Sequence, residues 1–125
     1  MHESSPRFPP SFRRGIELFN EGQYWEAHEA WEEIWLLEEA DVRPFLQGLI
    51  QLAAAWHHVE RRNFRGAKRL FGAALAKLEP YAPAYGGVQR GEAVVQAAAL
   101  AARLEREPEG VEVAERPYLP IDRGE

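Results

Sequence analysis

The residue types best suited to carry chemistry are concentrated in one short stretch, residues 24–35. It reads Tyr-Trp-Glu-Ala-His-Glu-Ala-Trp-Glu-Glu-Ile-Trp and contains one histidine, four glutamates and three tryptophans. His28 and Glu32 are four residues apart, a spacing that places two side chains on the same side of a helix. On the helical wheel they lie beside Trp25 and Trp35. This group of ionisable and aromatic residues requires an explanation, because burying charge without a partner is unfavourable.

Three interpretations of this face stay open. In a structural interpretation, His28 bonds to Glu32 or to a backbone carbonyl, and the tryptophans fill a helix interface. In a ligand-binding interpretation, the face forms a pocket against a polar stripe on the next helix. The predicted lining of that pocket is Trp25, His28, Glu29, Glu32, Trp35, Gln47, Gln51 and His58. In a metal-site interpretation, two helices supply nitrogen and oxygen ligands from His28, Glu32 and His58, or from His57 in place of His58.

The metal signal is the weakest of these signals, because the sequence contains neither His-Glu-x-x-His nor Glu-x-x-His. A helical wheel puts His57 on the side of Leu46 and Ile50, and His58 on the glutamine stripe. His58 is therefore the histidine predicted to join His28. No cofactor is predicted, and a divalent metal is kept as an alternative.

Other chemistries are excluded by composition. The sequence has no cysteine and no threonine, and its serines are confined to positions 4, 5 and 11. A thiol or hydroxyl nucleophile is therefore not expected. The net charge of −5 argues against nucleic acid as the main partner, because phosphate binding depends on positive surface. No apolar run approaches the roughly 20 residues of a membrane span, so no membrane partner and a cytoplasmic location are expected.

The charges are segregated along the chain. Acidic residues crowd positions 21–41, and basic residues crowd positions 61–69. Two solvated faces with intrachain ion pairs are the ordinary interpretation of such a pattern. The alternative is a homodimer or small oligomer in which a second chain pairs the two regions. Arginine also far outnumbers lysine, a composition that indicates a thermophilic source.

Helical periodicity predicts an all-α fold of about five helices. Ser11 is the predicted N-cap of the first helix, which ends at Gly22. The second is predicted at 23–39 and the third, capped by Asp41 with Pro44 in its first turn, extends to about Arg62. The third helix is nearly all apolar and is therefore predicted to be central. A fourth helix is predicted from Phe64 to a stop at Pro80, followed by a loop at 81–87 and a fifth helix at 88–107. An extended tail is predicted at 108–125, anchored by Tyr118, Leu119 and Ile121.

An internal echo predicts how these helices pack. The trio Tyr24, Ala27 and Trp31 recurs 40 positions later as Phe64, Ala67 and Phe71. Aromatic and alanine residues at this spacing are typical of tetratricopeptide-like hairpins, although the period exceeds the roughly 34 residues of a true repeat. Two helical hairpins with a closing helix follow, in a single domain at 1–125 with an N-terminal tail at 1–10.

The same stretch resembles a known family. The sequence at 19–35, followed by Gln-Gly-Leu-Ile-Gln at 47–51, His58, and Asn63 with Gly66, is similar to the small all-helical proteins of domain of unknown function number 309. The resemblance covers roughly residues 12–80. It implies a compact helical fold without an assigned activity, and it draws attention to His28, Glu29, Glu32, Trp31, Trp35, Gln51 and His58.

Three functional hypotheses follow. The first is a helical domain that binds a small ligand or a partner on the Trp/His/Glu face of the second helix. The second is a metal-dependent enzyme, of hydrolytic type, that uses His28, Glu32 and His58. The third is a tetratricopeptide-like adaptor that binds a peptide segment.

Overall fold

The computed structural model describes residues 8–113 and 115–121. In this part of the chain the helices are α1 (Pro10–Asn20), α2 (Tyr24–Trp35), α3 (Arg43–Glu60), α4 (Phe64–Leu78) and α5 (Gly91–Arg106). Two short strands, β1 (Ala84–Tyr85) and β2 (Val88–Gln89), pair antiparallel between α4 and α5. The predicted all-α class is confirmed. The small hairpin, however, extends beyond the predicted loop at 81–87, because β2 occupies the first residues of the predicted fifth helix, and α5 begins at Gly91. None of the described helices is both long and apolar enough to cross a membrane.

Two predicted N-caps are wrong. Ser11 lies inside α1, because Pro9 is the N-cap and Pro10 takes the first helical position, where its fixed φ suits the helix and its missing N–H is not needed. Val42 rather than Asp41 caps α3, without a side-chain hydrogen bond. The backbone carbonyl of Asp41 instead accepts a hydrogen bond of 2.8 Å from the Tyr81 hydroxyl.

The second helix ends at Trp35, four residues before its predicted end. Arg43 explains this early end. Its Nε donates to the carbonyl of Trp35 at 3.1 Å, and its Nη2 donates to the carbonyl of Leu36 at 3.4 Å. Carbonyls at a helix C-terminus lack intrahelical partners, and a guanidinium satisfies two of them at once.

The third helix is central, as predicted, and packs against both α2 and α4. Its Trp56 packs against one aromatic residue from each copy of the repeated aromatic–alanine–aromatic trio. The ring centroid of Trp56 lies 6.1 Å from that of Tyr24 and 5.5 Å from that of Phe71. The predicted hairpins α1–α2 and α3–α4 are confirmed, and α5 closes the bundle against α4.

Trp31 holds the first hairpin together. It is fully buried, and its indole Nε1 donates a hydrogen bond of 3.1 Å to the Phe12 carbonyl in α1. Gly15 makes this approach possible, because a Cβ at that position would collide with the indole; its Cδ1 would lie only 2.7 Å away. A glycine in mid-helix weakens the helix itself, so its presence here is explained by helix packing.

After a turn at 108–109, the described tail residues at 110–113 and 115–120 lie outside regular helices and strands, and Asn20 holds them. The Asn20 side-chain amide donates to the Leu119 carbonyl at 3.0 Å, and its oxygen accepts from the Leu119 N–H at 2.8 Å. Leu119 is fully buried and Ile121 bridges to Val88, which confirms both as anchors. Tyr118 is wrong as an anchor, because 59% of it is exposed. In the predicted tail 1–10, Pro10 is helical, and residues 1–7 lie outside the described residues.

We expect Trp31→Ala to lower the free energy of unfolding by about 3–5 kcal/mol, because it empties a large core site and leaves the Phe12 carbonyl without its donor. Urea denaturation measures the loss. Trp25→Ala is the matched control, since Trp25 is 44% exposed, and it should cost about 1 kcal/mol or less. Equal losses in the two variants would contradict the assignment of the buried face.

Candidate functional site

A stacked tryptophan and histidine lie in the N-terminal half of the outer face of α2. We call this surface, which carries Trp25, His28, Glu29, Glu32 and Glu33, the α2 face. The rings of Trp25 and His28 are nearly parallel, 15° apart, with centroids at 4.5 Å. On its other side Trp25 contacts His57 of α3, at 5.1 Å between centroids. Trp25 remains 44% exposed, although the side chain of His28 is only 14% exposed. The exposed indole therefore shields one histidine and touches a second.

The two ring nitrogens of His28 are poorly satisfied. Nε2 lies 3.7 Å from Glu32 Oε2, which is too long for a good hydrogen bond, and the Glu32 side chain is 56% exposed. Nδ1 is buried and has no hydrogen-bond partner among the described residues. A buried polar atom left unpaired costs roughly 1–3 kcal/mol. The predicted i, i+4 proximity is present, but the two side chains satisfy each other only weakly.

Acidic side chains dominate the C-terminal half of this face. An open depression of about 530 Å³, which we call the acidic depression, is lined by Glu29, Glu32, Glu33, Trp35 and Leu36. Carboxylates in the last turns of a helix are unfavourable, because the C-terminal end of the helix dipole is negative. The guanidinium of Arg43 partly offsets them, since it lies over the Trp35 ring at 4.6 Å from the centroid.

Sequence reasoning missed Arg43 as a member of the site. The available signal was its position as the first basic residue after an uninterrupted acidic stretch, eight residues beyond Trp35. A single arginine after a run of carboxylates is a candidate helix-terminus partner, as well as a candidate cation for a tryptophan face.

The predicted polar stripe is not assembled with the α2 face in the expected way. Gln47, Gln51 and His58 are partly buried, and none of them lines the acidic depression. Gln51 Oε1 is buried without a partner among the described residues. His57, which was assigned to the other side, is the histidine that contacts Trp25.

His58 is occupied elsewhere. The Asn63 Oδ1 caps α4 by accepting from the Gly66 N–H at 3.2 Å, so Nδ2 of Asn63 must face the other way. There it donates to His58 Nδ1 at 2.9 Å. This bond requires a neutral imidazole that carries its proton on Nε2. In agreement, the pKa of His58 is lowered, first by burial and then by His57, Arg69 and Arg61.

The geometry does not gather a metal site in the described part of the chain. No group of three or more His, Cys, Asp or Glu side chains there is placed to hold a metal ion. Of the three predicted metal ligands, His28 and Glu32 lie close to each other, whereas His58 is hydrogen-bonded to Asn63.

Ion pairs form within the described part of the chain, but none of them joins the two charged regions. Arg62 pairs with Glu112 at 3.8 Å, and Lys68 pairs with Glu105 at 3.3 Å. Both acids come from α5 or the tail rather than from α2. Within residues 8–113 and 115–121, Glu29 and Glu33 have no ion-pair partner. The acidic depression therefore presents nearly uncompensated charge.

Comparison with known proteins confirms the family resemblance. Residues 12–70 match the family model described as domain of unknown function (DUF309). The uncharacterised protein YpuF of Bacillus subtilis (strain 168) is 37% identical over 65 residues, which cover 51% of this chain. The match spans 37% of the relative's own length. The matched family region contains α2 and α3 entirely and thus the whole α2 face.

Replacing His28 and Glu32 together by Leu and Met should raise the stability of the fold. The change removes an unpaired buried nitrogen and an ion pair that is mostly in solvent. A gain of about 1 kcal/mol would raise the melting temperature by roughly 3–5 °C. Calorimetry in plain buffer measures it, and Glu32→Met alone is the control with little effect. A fall in melting temperature would assign the pair a structural role.

Stability should also decrease as the pH falls below about 6.5, the value for histidine in an unfolded chain. The folded pKa of His58 is lower, so just below that pH the unfolded chain binds more protons than the folded chain and is stabilised relative to it. Melting temperatures at about pH 7.5 and about pH 5.0 test this in wild type and His58→Gln, whose amide oxygen can still accept from Asn63. Equal acid sensitivity in both proteins would show that His58 contributes nothing.

Proposed function

We propose that the protein is a partner-binding helical domain whose α2 face binds a basic segment of another protein. Residues 12–70 of the chain match domain of unknown function 309. The carrying observation is the combination of exposed Trp25 with the uncompensated carboxylates of the acidic depression. Exposed tryptophan is the residue type most enriched where binding energy is concentrated.

The shape of the face supports a macromolecular partner over a small ligand. The described residues that line the acidic depression all come from α2 and its C-cap, Leu36, and no other described element forms a second wall. Small-molecule sites normally bury most of the ligand surface. An open face instead suits a flat or helical segment that covers it.

The chemistry of the face defines the partner. Glu29, Glu32 and Glu33 favour lysine or arginine, and the apolar surfaces around them favour an aliphatic or aromatic side chain between the cations. Leu36 and Leu37, which are 66% and 86% exposed, extend the apolar surface beyond the helix end. A cytoplasmic location, expected from the sequence, is part of this proposal.

A second copy of the chain is the other candidate partner. Arg61, Arg65 and Arg69 are exposed and, among the described residues, form no ion pair. They could meet the acidic depression of a neighbouring molecule. Because such pairing is electrostatic, it should weaken with salt.

Binding is tested by the indole ¹H–¹⁵N signals of the protein, titrated with a peptide of alternating arginine and leucine. We expect the signals of Trp25 and Trp35 to move, and that of the buried Trp31 to stay. The charge reversal Glu29→Lys with Glu33→Lys should weaken binding at least tenfold, about 1.4 kcal/mol. The matched control, Glu107→Lys with Glu109→Lys, changes the net charge equally at exposed positions away from α2.

Equal weakening by both charge reversals would contradict the proposal, since only net charge would then matter. Light scattering at low salt separates the second candidate. A mass near 28 kDa, twice the chain mass of 14.2 kDa, that falls when Glu29 and Glu33 are reversed would identify a second copy as the partner.

A further inference from the structure

A second concave site lies at the C-terminal end of α3. It is a cleft of about 310 Å³, here called the tail cleft, between the start of α2, the end of α3 and the tail residues at 111–113 and 115–116. The volume falls at the small end of the range for small-molecule sites. The tail cleft shares no lining residue with the acidic depression. It is therefore independent of the partner face proposed above.

One residue that lines the tail cleft has a buried hydrogen-bond donor without a partner among the described residues. Trp56, only 3% exposed, is one of its lining residues, and its indole Nε1 is buried without a partner among the described residues. An indole N–H can only donate. Beside it lies Tyr24, whose pKa burial raises to about 12, with the Glu60 carboxylate adding to the rise. Its hydroxyl is thus neutral and can also donate.

Charges of both signs surround the mouth, above apolar walls. Val59, Phe64 and Val111 supply apolar surface, while Arg62 and Glu60 stand at the end of α3. Arg62 pairs with Glu112 only loosely, at 3.8 Å, and both side chains are mostly exposed. Such a pair contributes little stability and can rearrange around a ligand.

Arg62 also occupies a backbone position that suits glycine. Its φ is +58°, in the left-handed region that is unfavourable for residues with a Cβ. The equivalent position in the first hairpin, 40 residues earlier, is Gly22 with φ +86°. The second hairpin therefore keeps a side chain where the first has none. That side chain lies over the Phe64 ring, 5.1 Å from its centroid, at the cleft wall.

We propose that the tail cleft binds a small zwitterion with an apolar side chain, of the chemical class of the apolar α-amino acids. The ligand carboxylate approaches Arg62 and, after a shift of the atoms that cover Trp56 Nε1, accepts a hydrogen bond from it. The ammonium group lies by Glu60, and the apolar side chain contacts Val59 and Phe64. A net anion or a net cation is matched less well, because the mouth carries both arginines and glutamates.

The probe is L-phenylalanine, with 3-phenylpropionate and 2-phenylethylamine as analogues that each lack one charge. We expect phenylalanine to shift the Trp56 indole signal saturably, with a Kd on the order of 1 mM or below. Either analogue should bind at least tenfold more weakly. Trp56→Phe identifies the signal by its loss and should reduce affinity, measured calorimetrically, by a similar factor.

Arg62→Gly provides the sharpest variant. It relieves the unfavourable backbone position, so the melting temperature should rise, while phenylalanine affinity falls at least fivefold. Arg61→Gln is the matched control, an exposed neighbouring arginine outside the cleft lining, and should leave affinity unchanged.

Three results would overturn this inference: an unmoved Trp56 signal at saturating phenylalanine, either analogue binding as tightly as phenylalanine, or unchanged affinity in Arg62→Gly. None of them bears on the partner face, which is followed by the Trp25 and Trp35 signals and by the arginine–leucine peptide.

Discussion

The packing of Trp31 against Gly15 is the contact on which the α2 face depends. The buried indole and its hydrogen bond to Phe12 fix both the distance between α1 and α2 and the rotation of α2 about its own axis. Because successive helical residues are 100° apart, that rotation decides which side chains face outward. Trp25 and the glutamates are exposed, with His28 partly covered beside them, because Trp31 is directed into the core.

Much of the fold could be predicted from apolar spacing. The echo of Tyr24–Trp31 with Phe64–Phe71 identified both hairpins, since aromatic and alanine residues at that spacing bury one helix face. Helix ends were harder to predict. Arg43 ends α2 by satisfying carbonyls from a distant position, and Pro10 begins α1 because its ring already has a helical φ. Such choices depend on tertiary contacts or on proline geometry, which periodicity does not report.

The candidate site was predicted in part. The positions of Trp25, His28 and Glu32 on one face followed from helix geometry, and the structure places them together. The partners on α3 did not follow, because the periodicity of each helix does not determine which faces of two helices meet. His57 thus contacts Trp25, while His58 bonds to Asn63. The tail cleft could not be predicted, because it is formed by residues far apart in sequence.

The bond between Asn20 and Leu119 has a kinetic consequence. Most contacts in a helical bundle are local and form quickly, whereas this one closes a loop of 99 residues. The tail should therefore dock after the hairpins have formed and should open before them, as the least protected segment in hydrogen exchange. Since the tail forms one wall of the tail cleft, each opening would also dismantle the cleft. Any ligand bound there would slow amide exchange along residues 111–113 and 115–119, which are distant in sequence from Trp56.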